Sequence, residues 1–255
     1  LNAIPGVWRR ILDHLADASS DPSGPPEVLD TLRFADTGTY ATPPDLLAAI
    51  TAAAPDAHVR VFYGSTEVGN VTALDHADIA ERVGSCGRPS PLVELRLGPD
   101  DEMLVRTPVA FSGYLNDDAA TAAAFESEWF RTGDVAAIDD DGFVSIVGRL
   151  GQLIRTGGES VSPTQVEQAL AGAPGVADLA VIGVPDPQWG EVVTLCVVVS
   201  ESDTEPTLES MVAGSDLAPH ARPRRLEVVD AIPRTAATGQ IDRRRLLSMV
   251  AEPPT

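Results

Sequence analysis

The sequence predicts an α/β layer with a small antiparallel β-module, followed by a separate α+β unit, so the fold class is α/β plus α+β. Three observations carry that expectation. A strand–helix–strand rhythm occupies the start of the chain. Short alternating segments between Gly-Pro-Asp-Asp and Asp-Asp-Asp-Gly turns fill the middle. Beyond Gly148-Arg149-Leu150-Gly151 the pattern changes to a helix and long apolar strands. The boundary is placed at 150/151, giving units 1–150 and 151–255, the second of ordinary domain size.

In order, residues 6–18 space Val7, Ile11, Leu12 and Leu15 at helical intervals. A Pro/Ser/Gly loop covers 19–26. Leu29–Phe34 reads as a short strand running into Thr37-Gly38-Thr39. Pro43 and Pro44 open a helix through Ala54, because the first helical turn has spare N–H groups and tolerates proline. Val59–Tyr63 is a second strand, ending at a Gly-Ser-Thr-Glu turn. The β-module takes 92–97, 102–107, 135–138 and 143–147, interrupted by a helix at 117–125. The last unit has a helix at 163–171, strands at 176–184 and 191–199, and an acidic turn at 200–206. A helix near 207–214, a strand at 225–229 and a short final helix complete it.

Charge narrows the function. The 255 residues carry a net charge of −20, which repels phosphate backbones and anionic lipid and so argues against nucleic-acid binding and a polybasic membrane anchor. Solubility is the plain role for such acidity. Cys86 and Cys196 are the two cysteines. Far apart and without histidines at ligand spacing, they point to reduced thiols in a cytoplasmic protein, not to a disulfide framework or zinc. No apolar run reaches the roughly 18 to 20 residues that span a bilayer. Leu1-Asn2-Ala3-Ile4-Pro5 is no signal peptide; a start at Leu instead of Met implies an upstream piece removed or a trimmed chain. His14, His58, His76 and His220 form no metal-spaced pair, and Arg243-Arg244-Arg245 reads as a surface feature at a helix end.

Five segments carry chemistry. Tyr63-Gly64-Ser65-Thr66-Glu67 sits at a strand end, where ligands of open α/β sheets collect. Its glycine permits close backbone approach, its hydroxyls suit phosphate oxygens, and its carboxylate suits Mg²⁺; a turn with a helix-capping hydroxyl is the alternative. In Trp129-Phe130-Arg131-Thr132-Gly133-Asp134, an Asp after a Gly turn can accept both hydroxyls of a ribose, or be a plain turn residue. Gly148-Arg149 offers a guanidinium for phosphate or ribose oxygens, with a surface or hinge arginine as the competing reading. Gly157-Gly158-Glu159-Ser160-Val161-Ser162-Pro163 is a Gly-rich turn entering a helix. Pro233–Arg243, containing Gly239-Gln240, is a polar excursion between a strand and the last helix.

Taken in this order, the segments resemble the acyl-adenylating superfamily of acyl-CoA synthetases, adenylation domains and luciferase-like ligases, over nearly the whole chain. The resemblance implies that 1–150 is the carboxy-terminal remnant of a large adenylating domain and 151–255 a small mobile domain rotating about residue 151. It implies that Leu32–Pro44, with Gly38, approaches adenine, that Tyr63 and Gly64 belong to the nucleotide site, that Thr66 contacts phosphate and that Glu67 holds Mg²⁺. Asp134 would take the ribose, Arg149 would precede the interdomain hinge, and Gly157, Gly158 and Glu159 would line a pantetheine tunnel for CoA. Gly183-Val184-Pro185-Asp186 with Trp189-Gly190-Glu191 is similar to the same ligases. The implied chemistry joins a carboxylic acid to CoA through an acyl-adenylate, using ATP, releasing AMP and requiring Mg²⁺.

Four positions depart from that pattern. The Ser/Thr/Gly-rich phosphate loop ending in Pro-Lys-Gly has no counterpart and would lie upstream of Leu1 or on a separate polypeptide. Gln240 stands where the resemblance expects a catalytic lysine, in a segment one residue longer than usual. Loss of such a preorganised charge costs roughly 10²–10³ in rate. Gly151-Gln152 replaces an acidic or basic hinge pair, and Asp36-Thr37-Gly38-Thr39-Tyr40 is less glycine-rich than the family's adenine turn. Two functions therefore compete: an incomplete acid–CoA ligase, and a degenerate nucleotide- or CoA-binding module that does not adenylate. A third, an acyltransferase using preformed thioesters, shares the CoA loop but finds no activated Cys or Ser with a neighbouring base in the sequence.

Overall fold

The structure is a computed structural model that describes residues 1–18, 29–39, 42–200, 207–235 and 239–251. It divides into two units, Leu1–Ile146 and Val147–Thr255. The expected loop at 19–26, most of the acidic turn at 200–206, and Tyr40 lie outside the described residues.

In the first unit, α1 (Pro5–Ala18), β1 (Phe34–Gly38), α2 (Pro44–Ala53), β2 (His58–Ser65), β3 (Gly69–Leu74) and β4 (Arg88–Pro89) follow one another. Their sheet has the order β1-β2-β3-β4. β1 and β2 are parallel, as a helical crossover through α2 requires. Pro44 starts α2, and Leu46, Leu47 and Ile50 turn its buried face to the sheet, meeting Trp8, Val59, Val61 and Leu74. Two expectations are corrected. Leu29–Thr31 form a turn and the strand runs over Phe34–Gly38 instead, placing Thr37 and Gly38 inside it. The turn after Tyr63 is a hairpin: β2 continues to Ser65 and pairs antiparallel with β3.

The β-module follows as β5 (Glu94–Leu97), β6 (Glu102–Arg106), α3 (Asp118–Ala123), β7 (Phe125–Glu126), β8 (Trp129–Ile138) and β9 (Val144–Arg149). Its sheet has the order β5-β6-β8-β7, with β9 on β8. Met103, Val105, Phe130 and Val144 form its core with Val68 and Val71. Asp117 caps α3 by accepting the Ala120 N–H at 2.8 Å.

The second unit contains β10 (Ile154–Thr156), β11 (Glu159–Val161), α4 (Pro163–Ala169), β12 (Val176–Asp186), β13 (Gly190–Val199), α5 (Leu208–Val212), β14 (Arg225–Val228) and α6 (Arg243–Ala251). The sheet order is β11-β10-β13-β12, with β14 parallel to β13. β12 and β13 read as continuous apolar runs because both faces are covered. Val181, Leu195 and Val197 face a core that includes Val166 of α4 and Met211 of α5. Ala180, Ile182 and Cys196, one residue out of phase, face Ile232 and Leu246 of α6.

Candidate functional site

Tyr63 and Asp134, 71 positions apart, meet in the first unit: the Tyr63 hydroxyl donates to Asp134 Oδ2 at 2.6 Å. Burial pushes the Tyr63 phenol well above its ordinary range, and the Asp134 charge reinforces the shift. Tyr63 is therefore a donor at physiological pH. Asp134 is 7% exposed, and it does not stand in a turn. Gly133 and Asp134 lie inside β8, where Gly133 adopts φ +68° opposite a register irregularity between Glu102 and Leu104. A glycine tolerates that left-handed backbone and lets the strand bulge and re-aim the next side chain.

Thr66 and Glu67 occupy the tip of the β2–β3 hairpin, Thr66 exposed and Glu67 half-buried. Gly64 lies in β2, so close to the Gly69 carbonyl that a Cβ there would collide with it. Glu67 is held from a distant loop: its carbonyl accepts the Phe111 N–H at 2.7 Å, and its Oε1 accepts the Tyr114 hydroxyl at 3.1 Å. Gly38 ends β1 against the Phe62 carbonyl, again leaving no room for a Cβ. Thus Gly38 and Gly64 are structural necessities of the β1–β2–β3 sheet whatever else they do.

In the second unit, β10 and β11 form a hairpin with Gly157 and Gly158 at its tip, at φ +59° and +88°. Two successive positive φ values are what a tight two-residue hairpin turn demands. Gly157 donates its N–H to the Trp189 carbonyl at 2.9 Å and lies against the Trp189 ring, 3.0 Å from where a Cβ would stand. Arg224 covers the same ring at 4.1 Å. Glu191 accepts the Arg155 N–H at 2.7 Å. The Gly-Gly segment and the Trp189-Gly190-Glu191 segment are therefore one local structure, with Glu159 exposed beside the tip. Arg149 is exposed at the end of β9, and Gly151 sits in a single 3₁₀ turn, Leu150–Gln152.

Gln240 is exposed. Its carbonyl accepts the Thr235 N–H at 2.8 Å, and Asp242 donates its N–H to the Pro233 carbonyl at 2.8 Å, so the segments on either side run together. Arg234 anchors one side, its Nη2 meeting both Asp178 oxygens at 2.9 Å. Arg243 anchors the other. Expected at the surface, it instead pairs with Glu167 at 2.7 Å to both oxygens and donates from Nε to the Val181 carbonyl at 3.2 Å. Tyr114, Glu102, Glu167 and the contact face of Trp189 escaped the sequence reading. Trp189 had a signal, its place beside Gly190-Glu191; the others depend on partners far along the chain.

These features define a protein built on an adenylate-forming fold. The family model for AMP-binding enzymes matches residues 1–115, and that for the AMP-binding enzyme C-terminal domain matches 165–238. The chain belongs to the AMP-binding enzyme family. It is 37% identical over 247 residues to a substituted propanoyl:CoA ligase of Mycobacterium tuberculosis, covering 95% of this chain and 47% of that ligase. It is 44% identical over 200 residues to 4-chlorobenzoate–CoA ligase of an Arthrobacter species, covering 72% of this chain and 37% of that enzyme. The o-succinylbenzoate CoA synthetase of Bacillus subtilis, solved with its acyl-adenylate intermediate, superposes with a TM-score of 0.80 at 26% identity, covering 96% of this chain and 50% of that one. The chain thus spans about half the length of the relatives it matches.

Proposed function

We propose that this chain is the carboxy-terminal half of an AMP-forming carboxylic acid–CoA ligase, with 1–150 belonging to the large nucleotide-binding domain and 151–255 to the small one. The observation that carries the reading is the Tyr63–Asp134 hydrogen bond, which unites two motifs expected at one nucleotide. In the first half-reaction a carboxylate oxygen attacks the α-phosphorus of ATP, giving acyl-AMP and pyrophosphate. In the second, the CoA thiol attacks the acyl carbon, the anhydride C–O bond breaks, AMP leaves and the thiol proton passes to solvent.

Each residue has a defined task in this scheme. Gly38, Tyr63 and Gly64 shape the nucleotide pocket, Thr66 donates to phosphate, Asp134 accepts from ribose hydroxyls, and Arg149 pairs with phosphate or ribose oxygens. Gly157, Gly158 and Glu159 line the path of the thiol. Among the described residues, no group of three or more His, Cys, Asp and Glu side chains stands ready to cage a metal. Glu67 alone suits a Mg²⁺ held mainly by phosphate oxygens and water, and the ion when bound neutralises phosphate charge. Gln240 supplies a hydrogen bond without charge.

That last feature favours a second reading, a module that binds nucleotide or CoA without adenylating. Calorimetric titration of this chain with AMP, ATP and CoA, alongside acid-dependent pyrophosphate release, separates the two. Binding with turnover supports the ligase, binding without turnover supports the module, and failure to bind any of the three refutes both.

A further inference from the structure

The buried acid of β6 does work that its place in an apolar strand does not call for. Glu102 is 2% exposed and is followed by the buried Met103, Leu104 and Val105. An apolar residue there would avoid the cost of burying a carboxylate. Instead, Glu102 Oε1 accepts the Gly133 N–H at 3.1 Å, and Oε2 accepts Arg131 Nε at 3.1 Å and Nη2 at 2.6 Å. The Arg131 side chain is 44% exposed, so water weakens this ion pair as a source of stability. What the carboxylate does fix is conformation. It ties down the amide of Gly133 in its left-handed conformation, one residue before Asp134. Thr132 completes the clamp: its Oγ1 donates to the Met103 carbonyl at 2.7 Å and accepts the Asp134 N–H at 3.1 Å. All these bonds bear on the three residues that set the direction of the Asp134 carboxylate.

We propose that Glu102 is a positioning residue for ribose recognition, holding the Arg131–Gly133 backbone so that Asp134 presents its carboxylate to the two hydroxyls of a nucleoside monophosphate. The proposal rests on the nucleotide reading above. A carboxylate has acceptor directions enough for Tyr63 and ribose donors together, but only if its orientation is fixed.

The test is calorimetric binding of AMP and of 2′,3′-dideoxy-AMP to this chain, to Glu102→Gln and to Glu102→Ala, with thermal unfolding to confirm that each is folded. The wild type prefers AMP by about tenfold or more, the scale of hydrogen bonds to a charged acceptor. Glu102→Ala collapses that preference to within about threefold and leaves the affinity for the dideoxy analogue unchanged. Glu102→Gln keeps an acceptor for Gly133 and retains an intermediate preference; it decides the matter if the alanine variant does not fold. A merely structural role lowers both affinities alike, and that result overturns the proposal, as does a full preference retained in the variants. A wild type without any preference for AMP refutes the nucleotide reading itself, and this proposal with it.

Discussion

Breaking the Glu167–Arg243 pair should be costly, whereas replacing it should not. Both side chains are largely buried, at 13% and 18% exposure. Glu167 accepts the Val181 N–H at 2.8 Å as well as Arg243 on both oxygens. Glu167→Ala therefore strands a strand amide, worth about 1–3 kcal/mol, and leaves a guanidinium without its counter-charge. Together these amount to roughly 3–5 kcal/mol, with the lower end expected because Arg243 keeps its bond to the Val181 carbonyl. Burial raises the Glu167 carboxyl above its ordinary value of 4.5, outweighing the opposing pull of Arg243. Its contribution to stability is thus fully present below 4.5 and is lost as pH rises through the higher folded-state value. Replacing a buried ion pair with apolar side chains of similar volume is often neutral or stabilising, because the desolvation of both charges is avoided. The double variant Glu167→Leu/Arg243→Met should accordingly lie within about 1 kcal/mol of wild type. Native-state hydrogen exchange of peptides from β12 and α6 reads the second unit on its own. A single variant costing under about 1 kcal/mol, or a double variant as damaged as the two singles added, would refute this reasoning.

Gly157→Ala forces a side chain into positive φ and against Trp189, so it should destabilise the second unit by about 1–3 kcal/mol; unchanged urea unfolding would rule out that close contact. Tyr63→Phe removes the donor to Asp134 and should cost the first unit about 1.5–3 kcal/mol, read as a lowered urea midpoint at constant slope. Burial pushes the Cys86 thiol up to about 11 and Cys196 up to about 12; since the thiolate is the reactive form, a disulfide reagent at pH 8 should label neither until the chain is denatured. Because a raised folded-state value stabilises the fold below the ordinary 9 and ceases to above about 11, Cys86→Ala should lose less stability than wild type between those pH values. Gln240→Lys, in this chain fused to the amino-terminal half of a relative, should raise acid-dependent pyrophosphate release by about 10²–10³; an equal rate in both fusions would place the adenylation defect elsewhere.

What could be read from the sequence was what local pattern encodes. α2 announced itself through Pro44 and a buried face, and β12 and β13 through long apolar runs separated by the turn between Asp186 and Gly190. β1 was misplaced because its buried residues are Ala35, Thr37 and Gly38, small side chains that give a weak hydrophobic signal against the more apolar stretch just upstream. β3 was missed for a similar reason: it opens on Gly69-Asn70, a turn-like pair, and one of its fully buried residues is Thr72, whose hydroxyl donates to the Cys86 carbonyl at 2.6 Å. Asp134 looked like a turn residue because a glycine precedes it; the bulge that places it in a strand depends on β6, some 30 positions earlier. Arg243 looked like surface charge because its partner is 76 positions away. One sequence without its contacts cannot reveal such pairings.

Position 240 brings these levels together. All 18 basic residues of the chain are arginines, so lysine is absent throughout, and no nearby ammonium is there to substitute for the one expected at Gln240. An arginine would be a poor substitute, because its planar fork suits bidentate pairing whereas a lysine is a compact point charge on a flexible stem. Among the described residues, Arg234 and Arg243 anchor the two sides of the position to β12 and α4, and backbone bonds join Thr235 to Gln240 and Asp242 to Pro233. On the proposed reading Gln240 differs from the expected lysine in charge, so a single side-chain change is the sharpest way to separate a ligase that has lost one step from a module that does not adenylate.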